Sequence, residues 1–168
     1  MPKLEIKKYG DAVLRKKTVK IEKISAEIKN LARDMLETMY AACGVGLAAP
    51  QVGMSLRMCV VDVMRQQNNP VIMINPEIIS AENKVCAEEG CLSFPGVYEK
   101  IGRFEKIKAK YTDLNGDDKT VEAEGLFAKA VQHEIDHLDA KLFIDYLPEK
   151  KRKNVESEIK RKKKTGQW

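Results

Sequence analysis

The sequence has no apolar run approaching the roughly 20 residues that a membrane-spanning helix requires, so nothing in it reads as a membrane protein. Its first residues, Met1-Pro2-Lys3-Leu4-Glu5, lack the apolar stretch of a secretory leader, and a cytoplasmic location is the expectation. No internal repeat and no long Ser/Gly/Pro-rich linker interrupts the chain, so its 168 residues are read as one domain with a real core. Aromatic residues are sparse at 6%, but apolar residues reach 43% and charged residues 33%, an ordinary soluble globular profile. The four cysteines, Cys43, Cys59, Cys86 and Cys91, show no disulfide framework and are expected as reduced thiols. Cys43, Cys59 and Cys86 are expected to be small buried apolar residues. Histidine is scarcer still, with two in the whole chain, which rules out any site built from three.

What is present is unevenly placed. Nine Lys/Arg against three Glu between Glu149 and Lys164 give that segment a charge of +6, more than the whole chain's +5. The basic character therefore belongs to the tail, and the chain divides into residues 1–147 and a basic helix or tail at 148–168. Only Val155 and Ile159 offer the tail an apolar contact. A solvated helix is the plain reading, and an electrostatic contact with RNA is the functional one.

Ser25 to Ala41 reads as an amphipathic helix with Ser25 as N-cap, and Ile28, Leu31, Ala32, Met35, Leu36 and Met39 at helical spacing. Gly44 to Gly53 carries three glycines and a proline, and is expected as an irregular apolar loop tucked against the protein. Strands are expected at Leu56 to Val63, Val71 to Ile74, Lys84 to Glu88, Phe104 to Thr112 and, after an Asn115-Gly116 turn, Lys119 to Ala123. Leu126 to Leu138 reads as a helix. Strands grouped between helices, without regular βα alternation, point to an α+β fold: mixed or antiparallel strands around a central helix, with a basic C-terminal helix.

Both histidines lie in His133-Glu134-Ile135-Asp136-His137. Residues four apart share one helix face, so both imidazoles reach one metal ion, with Glu134 beside them as a base for water. Leu126, Ala130, His133 and His137 share one stripe, which directs the histidines inward. A third ligand must be Cys, Asp or Glu, and Glu89-Gly90-Cys91-Leu92-Ser93-Phe94-Pro95-Gly96 is the best source, because its glycines and proline shape a loop that aims a side chain. A Cys-His-His set is the resulting candidate.

Gly44-Val45-Gly46-Leu47-Ala48-Ala49-Pro50-Gln51, Glu89-Gly90-Cys91-Leu92-Ser93 and Gln132-His133-Glu134-Ile135-Asp136-His137-Leu138 together resemble, in order and separation, the three motifs of the peptide deformylases. The resemblance implies an α+β enzyme that removes the formyl group from the N-terminal formyl-methionine of new proteins. It implies Fe²⁺, with Zn²⁺, Ni²⁺ or Co²⁺ as substitutes, held by Cys91, His133 and His137. Glu134 takes the acid/base role, and Gln51 with the Leu92 N–H takes the oxyanion-stabilising role. Gly44, Val45, Gly46, Glu89 and Ala130 are assigned to the substrate side, the glycines letting backbone approach a peptide closely. Lys129 is set aside as unsuited to an apolar pocket. Pairing of Glu89 with Arg103, fixing the Cys91 loop, is a further implication. The implied partners are the formylated nascent peptide and, through the basic tail, the ribosome. A monomer is expected.

One departure from the family pattern stands at Ala140, where a glycine is usual and would suit a left-handed cap. Two rivals define what the structure must decide. A zinc metallopeptidase would need a third His or Glu downstream. An RNA- or ribosome-binding protein with a structural metal site would usually close that site with four protein ligands.

Overall fold

The computed structural model describes residues 4–65, 67 and 69–168. The first helix, α1 (Ala26–Ala41), begins as expected: the Ser25 Oγ accepts the Ile28 N–H at 3.4 Å. Its apolar stripe buries Ala32, Met35 and Met39 completely, so the methionines fill core space. The segment after it is more ordered than a loop. Gly46–Ala48 forms a short strand, β1, and Ala49–Val52 a single 3-10 turn. Single-residue composition gives no sign of β1, because its definition lies in pairing with β2 (Met58–Val61), Gly46 opposite Val61.

The largest difference from expectation is in the middle of the chain. The runs at Val71 and Lys84 belong to one 21-residue strand, β3 (Val71–Cys91), and the next strand, β4, runs from Phe94 to Thr112. Pro76 and the positive-φ residues Asn75 and Asn83 mark the intervening stretch as a break in sequence. A register shift with β4 between Ile74 and Glu77 absorbs Asn75 and Pro76, and the register is unbroken on either side of Asn83, so the strand pairing continues. β5 (Asp118–Glu124) follows the Asn115-Gly116 turn, and the sheet order is β1-β2-β3-β4-β5, antiparallel throughout.

α2 (Gly125–Leu138) is the central helix. Ala128, Val131, Ile135 and Leu138 join Cys59, Val61, Met73, Ile107 and Ala109 from the sheet in one apolar cluster. Gln132 pins the helix to β4: its Oε1 accepts the Phe104 N–H at 2.9 Å and its Nε2 donates to the Phe104 carbonyl at 2.8 Å. The basic segment forms α3 (Glu149–Lys164), whose Val155 and Ile159 bury in a second cluster with Leu14, Phe94 and Phe143. Of the three cysteines expected to be buried, only Cys59 is. Cys86 stands exposed on β3, and Cys43 is exposed at a positive-φ turn after α1. Ala140 adopts the left-handed conformation that glycine would favour, φ 60°, and the Lys141 N–H closes the turn onto Asp136 at 2.9 Å.

Candidate metal centre

α2 and the β3–β4 turn bring the predicted ligands together. The Cys91 Sγ lies 3.3 Å from the His137 Nε2, which lies 3.2 Å from the His133 Nε2. The three ligand atoms all fall within 4.8 Å of one another. One sulfur and two imidazole nitrogens thus converge on a common point, the donor set that zinc, iron, cobalt and nickel accept.

The surroundings fit a cation. His133 Nδ1 is paired with the Glu89 carboxylate, which turns the Nε2 lone pair toward Cys91 and His137. Burial opposes charge on His133, yet Cys91, Glu89 and Glu134 outweigh it and raise its pKa well above the usual value. The His137 pKa is driven the other way, well below the usual value, by burial first and then by His133. The carboxylates of Glu89 and Glu134 thus stand beside the converging ligand atoms, a setting that suits a cation.

Glu89 is held in turn. Arg103, 3% exposed, donates to both of its oxygens, at 2.7 and 2.9 Å, and its other nitrogen reaches Asp136 at 2.5 Å. Burial works against ionising Glu89, but Arg103 and His133 prevail and hold its carboxyl at about 2. The ion pair implied by the family resemblance thus extends further than a pair. Asp136 also accepts from the Tyr146 hydroxyl at 2.7 Å, and the Arg103 guanidinium lies over the Tyr146 ring at 4.9 Å. Asp136 stood inside the helix motif, so its position was visible in sequence, but nothing there pointed to Tyr146.

Glu134 is buried against β1. A Cβ built on Gly46 would fall 2.4 Å from its Oε1, so the glycine's missing side chain is the space that the carboxylate occupies. Gly46 therefore makes room for a buried carboxylate, a contact its sequence context did not indicate. Burial raises the Glu134 pKa to about 7, with His133 opposing, and its Oε2 has no hydrogen-bond partner among the described residues. Gly44 makes comparable room for Leu92, whose Cδ1 would lie 2.7 Å from an added Cβ.

Gln51, 1% exposed, is oriented at both ends of its amide. Its Oε1 accepts the Ala48 N–H at 2.8 Å, and its Nε2 donates to the Ser93 Oγ at 3.2 Å and faces the Cys91 Sγ at 3.5 Å. Ser93 was not singled out from sequence, because its role depends on the turn that carries it opposite residue 51.

A cavity of about 440 Å³ opens onto these groups, with Gly44, Val45, Gly46, Gln51, Glu89, Cys91, Leu92, Ala130, His133 and Glu134 in its lining. The size suits a few residues of peptide. His137 is not in the lining and meets the site from behind. Lys129 does line it, contrary to expectation. Its ammonium is drawn aside to Glu105 at 3.1 Å, which leaves the aliphatic stem to face the cavity. The exposed side chains of Tyr98 and Leu126 stand at its edge.

Comparison with known proteins points to one family. The pattern of the polypeptide deformylase family matches residues 3–153. A peptide deformylase of Endomicrobium trichonymphae is 64% identical over 168 residues, covering all of both chains. That of Thermodesulfovibrio yellowstonii is 48% identical over 162 residues, covering 95% of this chain and 98% of its own. The crystal structure of a peptide deformylase from Legionella pneumophila superposes with a TM-score of 0.94 at 39% identity, covering 98% of each chain. A peptide deformylase from Synechococcus elongatus, solved in complex with actinonin, superposes with a TM-score of 0.89 at 38% identity, covering 96% of this chain and 89% of its own.

Proposed function

Because this chain belongs to the polypeptide deformylase family, we propose that Cys91, His133 and His137 hold its catalytic metal while Glu134 moves the proton that deformylation requires. The enzyme is a metal-dependent hydrolase that removes the N-formyl group from the N-terminal formyl-methionine of newly made proteins. The observation that carries the residue assignment is the convergence of Cys91 Sγ, His133 Nε2 and His137 Nε2 beside the buried carboxylate of Glu134.

When bound, the metal supplies Lewis acidity, making water nucleophilic near neutral pH and polarising the formyl carbonyl. Glu134 accepts the proton of the attacking water and returns it to the departing amine nitrogen. The Gln51 Nε2 and the Leu92 N–H donate to the oxygen that gains charge as the carbonyl carbon becomes tetrahedral. Glu89 keeps His133 in the tautomer that offers Nε2, and Arg103 keeps Glu89 ionised and in place. Val45, Ala130 and the stem of Lys129 form an apolar wall for the methionine side chain.

Glu134→Ala tests this assignment. The variant is expected to retain its metal and to lose at least about a hundredfold in turnover of a formyl-Met peptide. Near-normal turnover would remove Glu134 from the mechanism. For the ion itself we propose Fe²⁺. Support comes from the resemblance and from a thiolate–imidazole set that accepts it. Anaerobically purified enzyme should then contain iron and lose activity in air, whereas full activity with zinc alone would contradict this. We further propose that residues 1–147 carry the chemistry and that 148–168 serve as a basic docking segment for the ribosome. The expected setting is a cytoplasmic monomer. No helix among the described residues is long and apolar enough to cross a membrane.

A further inference from the structure

Residues 7–9 run as a strap between the two sides of the cavity. The Lys7 N–H donates to the Gln51 carbonyl at 2.7 Å, and the Tyr9 N–H donates to the Ser93 carbonyl at 2.9 Å. One strap thereby holds the main chain of Gln51 and of the residue that follows Leu92. The Tyr9 ring stacks on Phe94 with centroids 4.9 Å apart and planes 25° apart. Phe94 is fully buried and meets Phe143 edge-on at 5.0 Å and Trp168 edge-on at 6.4 Å. The strap is anchored from outside by α3. The Tyr9 hydroxyl donates to Glu156 at 3.2 Å, and the Lys163 ammonium donates to the Tyr9 carbonyl at 3.0 Å.

We propose that Tyr9 is a positioning residue for deformylation, fixing the spacing between the Gln51 amide and the Leu92 N–H by tying both segments to one anchored strap. The proposal rests on the oxyanion-stabilising role assigned above to Gln51 and Leu92. Tyr9 does not line the cavity, so its influence must pass through the groups that do. Two donors aimed at one developing charge lose much of their effect when displaced by a fraction of an ångström, and that loss falls on kcat. Substrate binding along the cavity wall is left intact.

The test is steady-state hydrolysis of a formyl-Met peptide, with rates expressed per bound metal. The variants are Tyr9→Ala, Tyr9→Phe, Val155→Ala, Gln51→Leu and the Tyr9→Ala, Gln51→Leu pair. Tyr9→Ala is expected to lower kcat about 5- to 20-fold with KM changed less than about twofold. Tyr9→Phe keeps the stack and the strap hydrogen bonds and should stay within about threefold of the parent. Val155→Ala loosens the same apolar cluster but keeps the Tyr9 ring, its stack on Phe94 and both strap hydrogen bonds, and should lower the melting temperature without a comparable kcat loss. In the Gln51→Leu background, Tyr9→Ala should add little, because the group it positions is gone. Equal kcat in Tyr9→Ala and Val155→Ala at matched thermal loss would overturn the proposal, as would full multiplication of the Tyr9 and Gln51 effects. If Gln51→Leu leaves kcat unchanged, the oxyanion assignment falls and this inference with it. If Gln51→Leu lowers kcat and Tyr9→Ala does not, only the positioning role falls. Should Tyr9→Ala fail to fold, Tyr9→Leu carries the same comparison.

Discussion

Ala140 holds φ 60° where an L-residue pays about 1–2 kcal/mol for the left-handed conformation. The position is not optional. The Ala140 N–H closes onto the His137 carbonyl at 3.2 Å and the Lys141 N–H onto that of Asp136, ending α2 immediately after its last ligand. Ala140→Gly relieves that strain and gives back part of the gain as unfolded-state entropy. The net expectation is about 0.5–1 kcal/mol of added stability, or roughly 1–4 °C in melting temperature for a domain of this size; an unchanged or lower melting temperature would refute the strain reading. Gly46 presents the opposite case, a site where any side chain collides. A methyl there would sit against the Glu134 carboxylate, so Gly46→Ala should displace it and cut kcat by about 10- to 100-fold with metal content preserved. Turnover within twofold of the parent would mean that the carboxylate's observed place is unimportant.

At the scale of elements, legibility followed locality. α2 and its histidine pair were visible because helical spacing is written in consecutive residues, and every polar side chain on its buried face belongs to a nearby motif. β1 and the continuous β3 were not, because each is defined by a partner strand. Gly46–Ala48 reads as loop until Val61 stands opposite, and the stretch around Pro76 reads as a break until β4 pairs across it. α3 is a mixed outcome. Its charge was evident, while the weight carried by Val155 and Ile159 was not, since nothing in sequence placed them beside Phe94 and Phe143. Truncation after Pro148 would be nearly harmless to hydrolysis of a short peptide if α3 were the purely solvated helix of the plain reading. With both residues buried, each contributing roughly 1.5–3 kcal/mol, truncation should instead lower the melting temperature sharply and loosen the Tyr9 strap. Ribosome docking is better tested by replacing the exposed Lys150, Lys160 and Lys164 with Gln, which spares the buried face. Binding should weaken, and the slope of log affinity against log salt should flatten by about 2–3. Undiminished binding would take these lysines out of any ribosome contact.

For the whole molecule, the ligand set acts as a cross-link as well as a reactive centre. Cys91 hangs on the β3–β4 turn and His137 on α2, 46 residues later, and the two elements belong to different apolar clusters. An ion shared by Cys91, His133 and His137 closes that loop in the folded state only, so its binding free energy adds to stability. Without it, a thiol and two imidazoles are left facing one another at 3.2–3.3 Å, with the buried Glu134 close by. Ion at a hundredfold excess over its dissociation constant contributes about 2.7 kcal/mol. For a domain of this length that corresponds to roughly 5–10 °C. Chelation should therefore lower the melting temperature of the parent enzyme by about that amount, and stoichiometric divalent metal should restore it. Cys91→Ser, with a weaker third donor, should start lower and respond less to the chelator. A parent melting temperature indifferent to complete metal removal would show that Cys91, His133 and His137 do not bind the ion jointly in the folded chain, whatever activity remains.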